Sequence, residues 1–312
     1  MSTPPPPSPN INPSTEMQSI WSCFRAWDAR AVELKSNITG WRRGVLILSI
    51  AGTVAATLSQ QLSGVMAKTL PSFPKGLGFG GAIALGLAGY FTREVLKPSK
   101  QSEQVRARSA AEGFKTEAYL LATNAPPYNT VTGSARLEKA DKISAAVADL
   151  RTPSLSDAVA LTDVLAENMT VDDYIQQRVD DQVVGFYLRR VNEYSKKVKQ
   201  GEAFSLVFGA LALVLGVISA TAKFGWTAGW VAVIGTSVAA VVAYQSAARY
   251  QFLVVTYEAT ANRLKKLKRD WQLLRKTDTD RPERDEFILK CEEAISIENS
   301  AWMAEWTKSA KS

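Results

Sequence analysis

Three residue patterns in this chain have the types and spacing for chemistry. Gly76-Leu-Gly78-Phe-Gly80-Gly81 fits the GxGxxG form that lets a backbone approach a pyrophosphate. Adjacent carboxylates stand at Asp172-Asp173, Asp180-Asp181 and Glu292-Glu293, raw material for acid–base or metal chemistry. Cys23 and Cys291 are the two thiols. The neighbours argue against each. The glycine run follows Pro71 and Pro74 rather than a strand and leads into an apolar helix, so its glycines read as helix-packing residues. Adjacent carboxylates on a helix point in different directions, which makes them solvated surface. The cysteines form no CxxC and no disulfide framework, and a reduced compartment is the simpler reading. The absence of histidine excludes Ser-His-Asp and Cys-His catalysis, zinc proteases and any His-ligated metal. No enzyme, no metal and no cofactor is expected.

The elements that dominate the chain are apolar. Its 312 residues are 46% hydrophobic and 21% charged. A mean hydropathy of -0.07 suggests a soluble protein only if the apolar residues are scattered, and here they are clustered. Four runs lack Asp, Glu, Lys and Arg: 44–67, 76–92, 203–222 and 224–248. A membrane-crossing helix needs about 17–25 mostly apolar residues, and the second run fits only marginally. Buried helices of a soluble bundle would show a polar stripe. Pro71 and Pro74 punctuate the first pair of runs and Lys223 the second, so each pair reads as a tight hairpin. The expected fold is an all-α membrane protein with four transmembrane helices in two hairpins and long cytoplasmic helices.

Charge gives the orientation. Lys35, Arg42, Arg43, Arg93 and Lys97 flank the first hairpin, and Arg189, Arg190, Lys196, Lys197, Lys199 and Arg249 flank the second. Both loops are poorer in basic residues, which places them outside and both termini in the cytoplasm. From Arg249 to Lys276 there are eight basic and two acidic residues. Arg42, Arg43, Arg189, Arg190, Arg249, Lys265, Lys266, Lys268 and Arg269 are therefore expected at an anionic headgroup surface. The net charge of +7 would also suit nucleic acid, but no aromatic interleaving or known module supports that partner. Within the spans, Gly78, Gly86, Gly225 and Gly229 give small-xxx-small spacing, while Gln60 and Gln61 need polar partners at a helix interface or in a wet pore.

Residues 1–13 are proline-rich, expected to be disordered, and lack the pattern of a cleavable signal. Ser14 is expected to cap a helix to about Asn37, with Gly40 before the first span. Ser102–Thr123 reads as a polar helix ended by Asn124-Ala-Pro-Pro-Tyr128, and Gly133–Arg151 as a short amphipathic one. Thr170 is expected to cap a helix from Val171 into the third span. The fourth span is expected to continue unbroken through Arg249 to Leu274. Arg281-Pro282 reads as a turn, and Glu283–Trp306 as a final helix with Ile288, Cys291, Ile295, Trp302 and Trp306 on or near one face. The halves echo each other: residues 14–123 and 170–307 each run polar helix, hairpin, polar helix, joined by a connector at 124–169.

Two stretches carry a family resemblance. One joins YIQQRVDDQVVGFYLRRVNEYSKK, a hairpin, YEATANRLKKLKRDW and CEEAISIENSAWMAEW; the other joins GWRRGVLIL, a hairpin and RARSAAEGFKTEAYLLAT. Together they resemble the SLATT superfamily, bacterial two-span proteins of nucleotide-linked conflict systems, with two units in tandem. The resemblance implies an inner-membrane effector of bacterial defence that oligomerises into a pore, or disrupts the membrane, after a cytoplasmic sensor or nucleotide signal. It transfers no catalytic residue. Read without it, the sequence fits a non-conducting anchor or scaffold with a helical docking platform nearly as well; a soluble bundle that inserts on a trigger is a third reading.

Overall fold

A computed structural model describes residues 13–66, 69–151, 164–221, 226–274 and 281–311, the last fourteen of these and Pro98 by backbone only. The regular elements of the described residues are helices. Ser14 opens α1 (Thr15–Val65) as expected, its hydroxyl accepting from the Met17 amide at 3.2 Å. The helix then runs without a break through Gly40, correcting the expected interruption there. A helix-interior glycine costs about 1 kcal/mol, too little to end a helix that good formers continue on both sides. α2 spans Ser72–Glu94, and α3 spans Pro98–Ala122 with proline in its first turn. Asn124, at φ 50°, ends that course, and a cis Pro126-Pro127 bond follows. Gly133–Arg151 is less helical than expected: a 3-10 turn at Gly133–Leu137 and α4 at Glu138–Ala146.

Thr170 caps α5 (Val171–Tyr174), accepting from the Asp173 amide at 3.1 Å. The helix continues into Ile175–Leu188, wound as a π-helix rather than an α-helix. Its buried positions recur about every four residues (Tyr174, Arg178, Gln182, Tyr187), a spacing the wider turn keeps on one face. α6 (Arg189–Thr221) follows, then α7 (Trp226–Ala248), α8 (Tyr250–Leu273) and α9 (Arg281–Lys311). Arg249 takes a left-handed φ of 53° and separates α7 from α8, so the helix expected to be unbroken carries a one-residue kink. Arg281-Pro282 is the first turn of α9, a favoured place for proline, rather than a separate turn. The proline-rich residues 1–12, Lys68, Lys223 and the side chains of Trp302 and Trp306 lie outside the described residues.

Three stretches are long and apolar enough to cross a membrane: Thr15–Val65, Val171–Thr221 and Trp226–Leu273. α2 holds the remaining run but is not one of them; its six glycines and flanking charges lower its hydropathy. The all-α membrane-type fold stands.

The chain forms two compact units. One combines the segment ending at Glu33, Ser102–Leu188 and the segment from Glu258 onward; the other combines Leu34–Gln101 and Arg189–Tyr257. The first, the polar unit, has a core that includes Met17, Ile20, Phe114, Tyr174, Leu264, Ile288 and Ile295. The second, the hairpin unit, holds α2, α6, α7 and most of α1, and leaves Ile47, Phe79, Leu206, Leu213 and Val217 exposed. A unit whose surface is apolar in this way suits lipid rather than water.

Candidate functional site

Within the hairpin unit, close approach is built from small residues. A Cβ on Gly81 would lie 2.9 Å from the Gly52 carbonyl oxygen and 3.0 Å from the Ala56 nitrogen, so α1 and α2 meet backbone to backbone. Gly78 faces Ser59, whose hydroxyl donates to the Pro74 carbonyl at 2.6 Å. α6 and α7 meet differently. Gln245 lays its amide over Gly201 and donates to the Lys197 carbonyl at 2.9 Å; a Cβ on Gly201 would sit 1.5 Å from Gln245 Nε2.

The structure joins two of the sequence candidates. Gln61 donates to the Trp226 carbonyl at 2.6 Å, and a Cβ on Gly229 would lie 3.2 Å from Gln61 Nε2. Gln60 is exposed, Gly86 has nothing within 4 Å of its Cβ position, and Gly225 lies outside the described residues. Gly201 and Gln245 were missed, although a glutamine inside an apolar run is the same signal that singled out Gln60 and Gln61.

The polar flank of the hairpin unit gathers tyrosines and cations. Tyr194 packs on Tyr250 at 5.3 Å between ring centroids and on Tyr257 at 6.2 Å. The Tyr244 and Tyr250 hydroxyls are 3.3 Å apart. Lys197 Nζ lies 5.3 Å from the Tyr194 centroid and 5.2 Å from that of Tyr250, and also pairs with Glu193 at 2.5 Å. Lys35 donates to the Tyr194 hydroxyl at 3.3 Å. Burial, and secondarily the positive charge of Arg249, lower the pKa of Arg42, while the nearby Tyr244 and Tyr250 act to raise it.

The polar unit is tied by a buried ion pair. Arg178, on the π-helix, donates from Nε and Nη2 to the two carboxylate oxygens of Glu292 on α9, at 2.9 and 2.8 Å. Tyr174 and Thr116 donate to the same carboxylate at 2.9 and 2.8 Å. The guanidinium lies 5.0 Å from the Tyr119 ring centroid and 3.8 Å from Glu112. Both charged partners are essentially buried, Arg178 at 0% and Glu292 at 4% side-chain exposure. Burial would lower the Arg178 pKa, but Glu292 outweighs it and keeps the guanidinium charged. Burial would likewise raise Glu112, and Arg178, Lys115 and Arg108 together hold it below the usual carboxylate range. Glu292 therefore corrects the reading of its pair as solvated surface; Glu293 alone is exposed. The signal lay in register: Glu292 is four residues after Ile288 and three before Ile295, both buried. Two of the three guanidinium nitrogens are thus spent on Glu292, and the third, Nη1, faces Glu112 at 3.8 Å, so the cluster joins the π-helix to α3 and α9.

The basic residues read as a headgroup surface divide between the units. Arg42, Arg43, Arg189, Arg190 and Arg249 belong to the hairpin unit; Lys265, Lys266, Lys268 and Arg269 belong to the polar unit. Lys268 pairs with both Asp180 oxygens at 2.7 Å, Arg269 pairs with Asp270 at 3.0 Å, and Lys265 and Lys266 are exposed.

Comparison with known proteins adds one finding. No curated protein and no solved structure matches the chain. Residues 174–302 match the SLATT_1 family model, described as SMODS and SLOG-associating 2TM effector domain 1. The match opens at Tyr174 and contains Arg178, the α6–α7 hairpin, α8 and Glu292. Over that stretch the chain resembles the SLATT family.

Proposed function

We propose that the protein is a four-span membrane effector of a bacterial conflict or defence system, assembling with copies of itself to breach the inner membrane after a cytoplasmic signal. The observation that carries this reading is that the matched stretch encloses a whole pair of apolar helices. The matched two-span effector domain contains one complete helical hairpin, with apolar faces open on Leu206, Leu213 and Val217. The first hairpin has the same local plan, and each half of the chain enters and leaves the hairpin unit at corresponding points: 34 and 101 in one, 189 and 257 in the other. The two segments are nearly equal in length, which supports two SLATT-like units in tandem.

In this reading the outward glycines of α2, Gly86 among them, meet another copy, because none of the described residues lies within 4 Å of their Cβ positions. Anionic lipid is a partner of the juxtamembrane cations, both termini are cytoplasmic, and no nucleic acid is involved. The test is ion flux from vesicles of bacterial lipid reconstituted with the full chain at rising protein-to-lipid ratio. Flux that rises more steeply than first order is expected, and Gly86→Leu should abolish it while leaving insertion intact. Inserted protein that releases no ions at any ratio would remove the pore and leave a membrane anchor.

A further inference from the structure

The polar unit carries an apolar groove that the described residues leave open. Between α8 and α9, Leu267, Trp271, Leu274 and Phe287 line one part of it, with Trp271 stacked on Phe287 at 5.1 Å between ring centroids. Pro126, Pro282 and Leu289 line a second part, of about 600 Å³. Glu286 and Lys290 border both, so the two parts are continuous. Leu274 is 65% exposed and Leu289 39%, apolar surface that a covering segment would take out of water. The rim sets the charge of that segment. Asp270 pairs with Arg269, Asp285 with Arg284, Glu286 with Lys290 and Glu293 with Arg263. With these carboxylates already answered, an uncharged occupant suits the groove better than a cationic one. Trp271 and Lys290 are the lining side chains that can donate, so the occupant should bring acceptors.

Residues 1–12 have no charged side chain and include four consecutive prolines, 4–7, followed by Pro9. Proline has no backbone N–H; it offers its ring to apolar walls and its carbonyl to donors, the chemistry by which proline-rich segments fill aromatic grooves. The start of α1 lies at the groove's end of the polar unit. Gln18 donates to the Pro13 carbonyl, and the Ser14 amide donates to Glu167 at 2.7 Å. Met169 donates to the Ala122 carbonyl at 2.8 Å, and the Asn124 carbonyl accepts from Arg284 at 3.4 Å. Pro126 and Asp285, the next links on either side, are groove residues. Twelve extended residues reach about 37 Å, whereas the stretch of α9 along the groove, 282–293, is about 17 Å long. We infer that the proline-rich segment, residues 4–9, docks into the α8–α9 groove of its own chain. The tether supplies a millimolar effective concentration, so the contact holds at an affinity too weak for a free peptide. The docking lies within the polar unit and stands whether or not the protein conducts ions.

The experiment is the rate of disulfide formation in the full chain in neutral detergent, with Cys23→Ser throughout and the buried Cys291 retained. Pro6→Cys is paired with Leu274→Cys in the groove or, as a control, with Gln272→Cys, which is exposed on the same helix but off the groove. The groove pair should form at least about tenfold faster than the control pair, at a rate independent of protein concentration. Pairing Pro6→Cys with Leu289→Cys should repeat the result in the second part of the groove, and it replaces the first pair should Leu274→Cys fold poorly. Pro4→Gly, Pro5→Gly, Pro7→Gly and Pro9→Gly together keep the length and remove the rings; they should bring the groove pair to within about twofold of the control. Equal rates for groove and control pairs would overturn the inference and leave the groove to the α8–α9 connector or to a separate protein. Cross-links that form only between copies, rising with concentration, would overturn the assignment to the same chain. A fast groove pair in the glycine variant would overturn recognition of the prolines.

Discussion

The two units satisfy one constraint by opposite chemistry. In both, helices pack closely and every polar group removed from solvent needs a partner. The polar unit meets the constraint with charge: Arg178 donates two hydrogen bonds to Glu292, and Tyr174 and Thr116 donate to the same carboxylate. The hairpin unit meets it with small residues and amides: Gly52 against Gly81, Gly201 beneath Gln245, Gln61 on the Trp226 carbonyl. The contrast follows from the solvent each unit suits. Lipid gives no hydrophobic gain for bringing helices together, so contact area and hydrogen bonds must do it. In water, apolar burial supplies the drive, and a buried charge pair mainly selects which helices meet.

The largest expected effect lies in the polar unit. Arg178→Leu leaves the Glu292 carboxylate buried without its counter-ion and should cost about 3–5 kcal/mol in reversible unfolding. Adding Glu292→Leu should return much of that loss; a double variant as unstable as the single would show that the pair contributes stability outright. In the hairpin unit, Gly81→Leu drives a side chain into the Gly52 carbonyl and should cost about 1–3 kcal/mol. It should lower the yield of a disulfide engineered between α1 and α2 but not of one between α3 and α9. Gly201→Ala only displaces the flexible Gln245 amide and should cost about 1 kcal/mol, matched by Gln245→Leu. A smaller effect still concerns acid. Glu112 has a depressed pKa, so its stabilising contribution is complete above the unfolded carboxylate value and lost as pH falls through the folded one. Acid titration should loosen amide protection in α3 before α2. Simultaneous loss in both helices would erase the distinction between the units.

The same contrast decides how much could be read from the residues. The ends of the apolar helices are written in composition: the uncharged runs end at Ala67, Thr92, Ala222 and Ala248, and their helices end at Val65, Glu94, Thr221 and Ala248, though only three of the helices are long and apolar enough to cross a membrane. Caps were equally legible, because Ser14 and Thr170 act within three residues. The kink at Arg249 was not, since local propensity favours continuing the helix and only tertiary packing holds a left-handed arginine. The Arg178–Glu292 pair joins residues far apart in sequence, so spacing alone could not couple them, even though register could have placed Glu292 on the buried face. The division into units was hidden for a related reason: the chain alternates between them within single helices, as α1 does at Glu33–Leu34.

The most direct measurement is the membrane potential of bacteria induced to express the full chain, read with a voltage-sensitive dye alongside Gly86→Leu at matched membrane levels. Depolarisation by the native chain and none by the variant is the expected result. A steady potential in both strains, with the protein recovered from carbonate-washed membranes, would contradict it.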